Sequence, residues 1–215
     1  MRNSNGDRQP RGGRKWLRFV AGCGAVAVAA ALLSGWLPPT SSHAAELPSI
    51  CFEDRADAAG VHFVLNNSAS GEKHQIETMA GGVAVFDYNG DGRPDLYFIN
   101  GAKLPEMDKS DPRFWNRLYR NDGHGRFTDV TEAAGMKGAG YGMGVAAADY
   151  DNDGHEDVFI AGVNRNQLFH NNGDGTFTDV TAKAGLAGML AGYGKPFSVG
   201  AGWFDYNNDG LLDLF

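Results

Sequence analysis

Asp87-Tyr88-Asn89-Gly90-Asp91-Gly92-Arg93-Pro94-Asp95 returns as Asp149-Tyr150-Asp151-Asn152-Asp153-Gly154-His155-Glu156-Asp157, and again as Asp205-Tyr206-Asn207-Asn208-Asp209-Gly210-Leu211-Leu212-Asp213. Aligned, the three stretches read Asp-x-Asn/Asp-x-Asp-Gly-x-x-Asp. Gly82, Gly144 and Gly200 each stand five residues ahead of one of them. Successive first aspartates are 62 and 56 residues apart, so the period tolerates insertions.

A second element alternates with the first. Asn116-Arg117-Leu118-Tyr119-Arg120-Asn121-Asp122-Gly123-His124-Gly125-Arg126-Phe127-Thr128-Asp129-Val130-Thr131 recurs 50 residues later, from Asn166 to Thr181, and both copies run on to an Ala-Gly pair. A worn copy, Phe52-Glu53-Asp54 to Ala59-Gly60, precedes them and predicts an orphan last strand near Phe52. Each full unit divides into four short strands, in the first unit over residues 82–87, 95–100, 117–121 and 126–131. The acidic stretch forms the loop between the first two. Leu96 to Ile99 and Val158 to Ile160 are continuously apolar, as strands covered on both faces are. A fixed glycine in the first strand suits a position crowded near an axis.

Four-stranded units of roughly 50 residues repeated about an axis describe the blades of a β-propeller. The expected fold is all-β, with about two complete blades of four antiparallel strands and parts of two others. A propeller closes with at least about four blades. The chain is therefore expected to be an N-terminal fragment of a longer product, or to assemble with copies. The third loop, lacking the strands after it, is expected to be incomplete.

The loops carry the chemistry. Calcium takes six to eight oxygens, and side chains at positions one, three and five of a tight loop converge on one point. Those positions are Asp87, Asn89 and Asp91; Asp149, Asp151 and Asp153; and Asp205, Asn207 and Asp209. The carbonyls of Arg93, His155 and Leu211 at position seven add a ligand, and Asp95, Asp157 and Asp213 at position nine close the cage. The tyrosines at position two point away and pack. An EF-hand needs a carboxylate at position twelve, where Phe98 and Ile160 stand, so that reading fails. Zinc is not expected, because no Cys/His cluster accompanies the carboxylates. The His155 imidazole is read as solvent-facing, and His62, His74, His124 and His170 as surface or turn residues. Ordinary Asp-Gly turns do not require four oxygen-bearing side chains at one spacing three times over.

These two alternating runs closely resemble FG-GAP/VCBS-type repeats, and most of all proteins related to cartilage acidic protein. The resemblance covers about residues 52–215. It implies a seven-bladed propeller like the integrin α-subunit head, calcium in the blade loops, and a C-terminal ASPIC/UnbV-type domain that this chain does not contain.

Charge sets the compartment and the partners. Six basic residues precede Phe19, an apolar stretch runs to Leu37, and Pro38-Pro39 leads to small residues ending at Ala44. That order predicts an export signal over residues 1–44 and a repeat domain over residues 45–215, with an uncleaved anchor as the alternative. The remainder holds 13 basic and 25 acidic residues, a net charge of −12 that disfavours nucleic acid and anionic membrane and attracts divalent cations. Cys51 is then the only cysteine, so no internal disulfide is expected. No Gly-x-Ser-x-Gly elbow, histidine pair or Cys/His pair suggests catalysis. The expectation is a non-enzymatic, secreted, periplasmic or surface scaffold that uses calcium to brace loops binding a protein or glycan. Two alternatives are a secreted enzyme whose catalytic part lies beyond this chain and a structural assembly protein. The insertion at residues 101–115 is a candidate contact loop.

Overall fold

The computed structural model describes residues 51–187 and 195–215; the expected export signal lies outside them. The chain divides into a unit over Met1–Phe52 and a unit over Glu53–Phe215, and the second carries the fold described below. No helix among the described residues is long and apolar enough to cross a membrane.

Strands β1 (Gly82–Phe86), β2 (Asp95–Ile99), β3 (Arg117–Gly123) and β4 (Arg126–Asp129) form one antiparallel sheet in chain order. Strands β5 (Tyr141–Ala148), β6 (Asp157–Val163), β7 (Gln167–Asn171) and β8 (Phe177–Asp179) form a second. Strands β9 (Trp203–Phe204) and β10 (Asp213–Leu214) pair as the start of a third. The protein is all-β, built of four-stranded antiparallel sheets of propeller-blade type.

Side-chain alternation explains the apolar runs. Along β6, Val158 and Ile160 enter a core with Ala84, Phe86, Tyr88, Tyr97 and Ile99 of the first sheet, while Phe159 and Ala161 enter another with Trp203 and Leu214. Both faces of that strand are covered, so every residue of it is buried. In the first sheet, Phe98 stacks on Phe63 of the preceding segment at 4.8 Å, yet Val83 and Val85 on β1 stay 52% and 61% exposed.

The glycines ahead of the loops lie one against the next. A Cβ on Gly82 would meet the Cα of Gly144 at 3.2 Å, and one on Gly144 would meet the carbonyl oxygen of Val199 at 2.8 Å and the Cα of Gly200 at 3.0 Å. At Gly144 the backbones of successive units meet too closely for a side chain to fit without a shift.

The orphan strand predicted near Phe52 is absent. The segment instead forms a single helical turn, α1 (Ala56–Ala59). Its Ala-Gly pair nevertheless does what the others do. Gly60 N–H donates to the Asp57 carbonyl and Val61 N–H to that of Ala56. Gly135 and Met136 bond likewise to Glu132 and Thr131, and Gly185 and Leu186 to Ala182 and Thr181. Gly60, Gly135 and Gly185 have φ of 86°, 76° and 76°. Three times over this is the left-handed glycine end of a helical turn. It also ends β4 two residues earlier than predicted. Thr131 leaves the ladder, and its Oγ1 accepts from Leu118 N–H at 2.9 Å, as Thr181 does for Leu168.

Candidate metal centres

Each acidic loop joins the first two strands of a sheet, and the three share one hydrogen-bond frame. The position-one carboxylate accepts the amides of positions five and six. Asp87 takes Asp91 and Gly92 at 3.1 and 2.7 Å, Asp149 takes Asp153 and Gly154 at 3.0 and 2.9 Å, and Asp205 takes Asp209 and Gly210 at 3.1 and 2.9 Å. The position-five carboxylates of Asp91, Asp153 and Asp209 accept the amides of Arg93, His155 and Leu211 at 2.8–2.9 Å. The position-six glycines, Gly92, Gly154 and Gly210, have φ between 80° and 92°, the sharp bend a side chain would resist. The third loop keeps this frame, but its Asp213 accepts the Tyr206 amide without the third-strand amide that Asp95 and Asp157 also take.

Position nine does more than close a cage. Asp95 is buried; it accepts Tyr88 N–H at 3.1 Å and Asn121 N–H, on β3, at 2.6 Å. Asp157 likewise accepts Tyr150 at 3.2 Å and Asn171, on β7, at 2.8 Å, and Asp213 accepts Tyr206 at 2.9 Å. These carboxylates tie each loop to its sheet. Burial holds the Asp95 carboxyl above its ordinary value, aided by Asp91 and Asp87 and opposed by the two amides. Burial pushes Asp157 up to about 6, with Asp151 adding to the rise and the amides and His170 opposing it. A cation placed among these groups favours the charged form and removes that penalty.

Position three separates the loops. The side-chain amides of Asn89 and Asn207 donate to Asp91 and Asp209 at 3.0 and 2.9 Å. Asp151 has no N–H to donate, and faces Asp149 and Asp157 instead; among the described residues these three carboxylates bring oxygens within 4.8 Å of one another. The first loop carries a competitor in Arg93, whose guanidinium bonds Asp91 and the Asn121 carbonyl.

The histidines need correction. The His155 imidazole is not solvent-facing: it is half-buried over Gly173, where an added Cβ would meet Nε2 at 2.5 Å. His170 is not a bland turn residue. It extends from β7 into the second loop, with Nδ1 3.2 Å from Asp157 Oδ1 and 3.3 Å from Asp151 Oδ2, and Nε2 3.8 Å from Asp153 Oδ2. A histidine does therefore accompany the carboxylates. The signal lay in the repeat: Phe169 pairs with Val158 and Tyr119 with Leu96, so the next pair inward sets His170 opposite Asp157 and Arg120 opposite Asp95.

The tyrosines follow their surroundings. Tyr88 stacks on Phe177 at 6.3 Å and Tyr150 on Trp203 at 5.9 Å, while Tyr206 is 78% exposed, against the expectation that it packs. The loops also touch one another. Asp87 N–H donates to Glu156 Oε2 at 3.0 Å, Asn171 Nδ2 to the Tyr88 carbonyl at 2.9 Å, and Asn152 Nδ2 to the Gly210 carbonyl at 3.2 Å.

Antiparallel four-stranded repeats with acidic first loops define a β-propeller-type repeat protein, a class of binding and adhesion scaffolds. A model of the FG-GAP-like repeat matches residues 87–160 and 149–215, and the chain belongs to that family. Among curated proteins no match is found.

Proposed function

We propose that the chain is an exported scaffold in which calcium braces the acidic loops and the blade-end loops hold a protein or glycan partner. The observation that carries this reading is the hydrogen-bond frame common to the three loops, in which the position-one and position-five carboxylates accept the loop's own amides and the position-nine carboxylate accepts the amide of position two. Asp87, Asn89, Asp91 and Asp95, their counterparts in the second loop, and Asp205, Asn207, Asp209 and Asp213 would hold the ion. The carbonyls of Arg93, His155 and Leu211 would complete its shell. At ~1 mM calcium and a Kd of ~10 µM, each site would gain roughly 2.7 kcal/mol.

For the partner, the insertion over residues 101–115 is the favoured contact. A recess of about 860 Å³ lies beside it, lined in part by Ser68, His74, Ile76, Leu104 and Met107. Polar groups around an apolar floor suit a sugar or peptide side chain.

The test is thermal unfolding of the full chain by circular dichroism in millimolar calcium, in magnesium and in excess chelator, with glycan-array binding in the first and last buffers. A midpoint several degrees higher in calcium alone, with array signal lost in chelator, supports the reading. A midpoint indifferent to calcium returns the loops to ordinary turns.

A further inference from the structure

We propose that Asn89, in the first acidic loop, is a self-modification site that converts to aspartate and isoaspartate through attack by the Gly90 amide. The modification stands apart from the calcium reading, and only its effect on ion binding rests on that reading.

The chemistry needs one neighbour and water. The backbone nitrogen of Gly90 bonds to the side-chain carbonyl carbon of Asn89. The Cγ–Nδ2 bond breaks, and ammonia leaves with the proton that the Gly90 amide gives up. Water then opens the five-membered imide at one carbonyl to give aspartate, or at the other to give isoaspartate. Glycine in the following position favours the attack, because no side chain restrains the turning of its amide.

Three Asn-Gly pairs stand among the described residues, and a fourth, Asn5-Gly6, lies outside them. The structure separates the three. Asn100 is buried, its Nδ2 donates to the carbonyls of Val64, Arg113 and Trp115, and its Oδ1 already accepts the Gly101 amide at 3.0 Å. Asn172 is exposed but held, with Nδ2 donating to Thr176 and Oδ1 accepting from Thr178. The Gly173 amide is committed to Asn171 Oδ1 at 3.1 Å, and the His155 ring crowds that glycine. Asn89 and Gly90 are both exposed. Among the described residues the Gly90 N–H donates to no acceptor, and nothing stands within 4 Å of where its Cβ would be.

The loop also readies the carbon under attack. Asn89 Oδ1 accepts the Asp91 amide at 3.2 Å, which draws electrons from the carbonyl, and its departing nitrogen donates to Asp91 Oδ2 at 3.0 Å. The third loop repeats both bonds at Asn207, at 3.0 and 2.9 Å, but Asn208 follows there. Gly90 and Asn208 share the left-handed backbone, with φ of 71° and 59°. The third loop is therefore a matched control inside the same chain.

The two products act in opposite directions. Aspartate gives the first loop the position-three carboxylate that Asp151 supplies in the second, and added ligand charge tightens calcium. Isoaspartate lengthens the main chain by one carbon between Asp87 and the amides of Asp91 and Gly92 that it accepts, and so breaks the frame.

The full chain is held in mildly alkaline buffer with chelator, and peptide mapping by mass spectrometry follows each asparagine. Asn89 should convert at least about fivefold faster than Asn100, Asn172 or Asn207, the ratio that a barrier about 1 kcal/mol lower produces. Gly90→Asn should slow Asn89 to the Asn207 rate, and Asn208→Gly should raise Asn207 towards the Asn89 rate. Circular dichroism checks that both variants fold. Asn89 no faster than the other three, or unmoved by Gly90→Asn, overturns the inference. Saturating calcium should slow Asn89 by holding its Oδ1. A rate unchanged by calcium, with Asn89 still the fastest, supports the modification site and counts against calcium at this position.

Discussion

Gly82 and Gly144, 62 residues apart in the chain, pack so closely that a Cβ on the first would stand 3.2 Å from the Cα of the second. The contact repeats from Gly144 to Gly200, where a Cβ on the first would stand 3.0 Å from the Cα of the second.

Gly144→Ala should therefore destabilise the protein by about 1–3 kcal/mol, since its Cβ would meet the Val199 carbonyl at 2.8 Å. Gly200→Ala meets nothing within 4 Å and should stay within about 0.5 kcal/mol. Urea unfolding of the two variants side by side checks this.

Asn171 joins the two full sheets. Its side chain donates to the carbonyls of Tyr88 and Glu156, while its Oδ1 accepts from Gly173. Asn171→Ala leaves these buried groups without partners and should cost about 1–3 kcal/mol. Asn121→Ala, at the matching position, breaks bonds only within its own sheet and should cost less. Denaturant midpoints in chelator read the difference without interference from bound ions.

Asp151→Asn should make the second loop behave like the other two. The new side-chain amide can donate to Asp153 as Asn89 does to Asp91, and a carboxylate repulsion disappears. In chelator the protein should gain about 0.5–1.5 kcal/mol, and the midpoint shift produced by calcium should shrink. Calorimetric melting in the two buffers gives both numbers.

Lys109 predicts a pH dependence. Its ammonium donates to the Asn100 carbonyl and to Asn116 Oδ1, and burial pulls its pKa down to about 7. The unfolded chain keeps that proton up to about 10.4. Between these values the unfolded state binds more protons, so this residue's contribution makes stability rise with pH across that window. Lys109→Met should flatten the rise, as urea midpoints at pH 7, 8 and 9 would show. An unchanged slope would mean that the ammonium is solvated.

Much of this was legible in the chain because it repeats. The strands of the first unit start where the alternation of loops and turns places them, and the glycines five residues ahead of each loop lie at the close approach their position implied. The Phe52 strand was misjudged because resemblance to a repeat does not supply a neighbour to pair with; the Ala59-Gly60 turn needs only its own backbone and formed. His170 escaped notice because its relation to the loop is set by pairing between β6 and β7, across 13 residues from Asp157. The His155 ring was misplaced because Gly173, which leaves room for it, belongs to a different turn.

The Ala-Gly turns have a consequence for how such a chain is assembled over generations. The turn ending the first sheet delivers the Ala134 carbonyl to Phe177 N–H of the next at 3.0 Å. The turn at Gly60 comes against the Phe127 carbonyl of the first sheet in the same manner, a Cβ there standing 2.7 Å from it. Each repeat thus carries one half of a standard joint at either end. Duplicating or excising a whole repeat recreates the same joint without a new contact having to arise, whereas a cut anywhere inside a repeat does not. Recombination can therefore change the number of units far more easily than it can change the design of one.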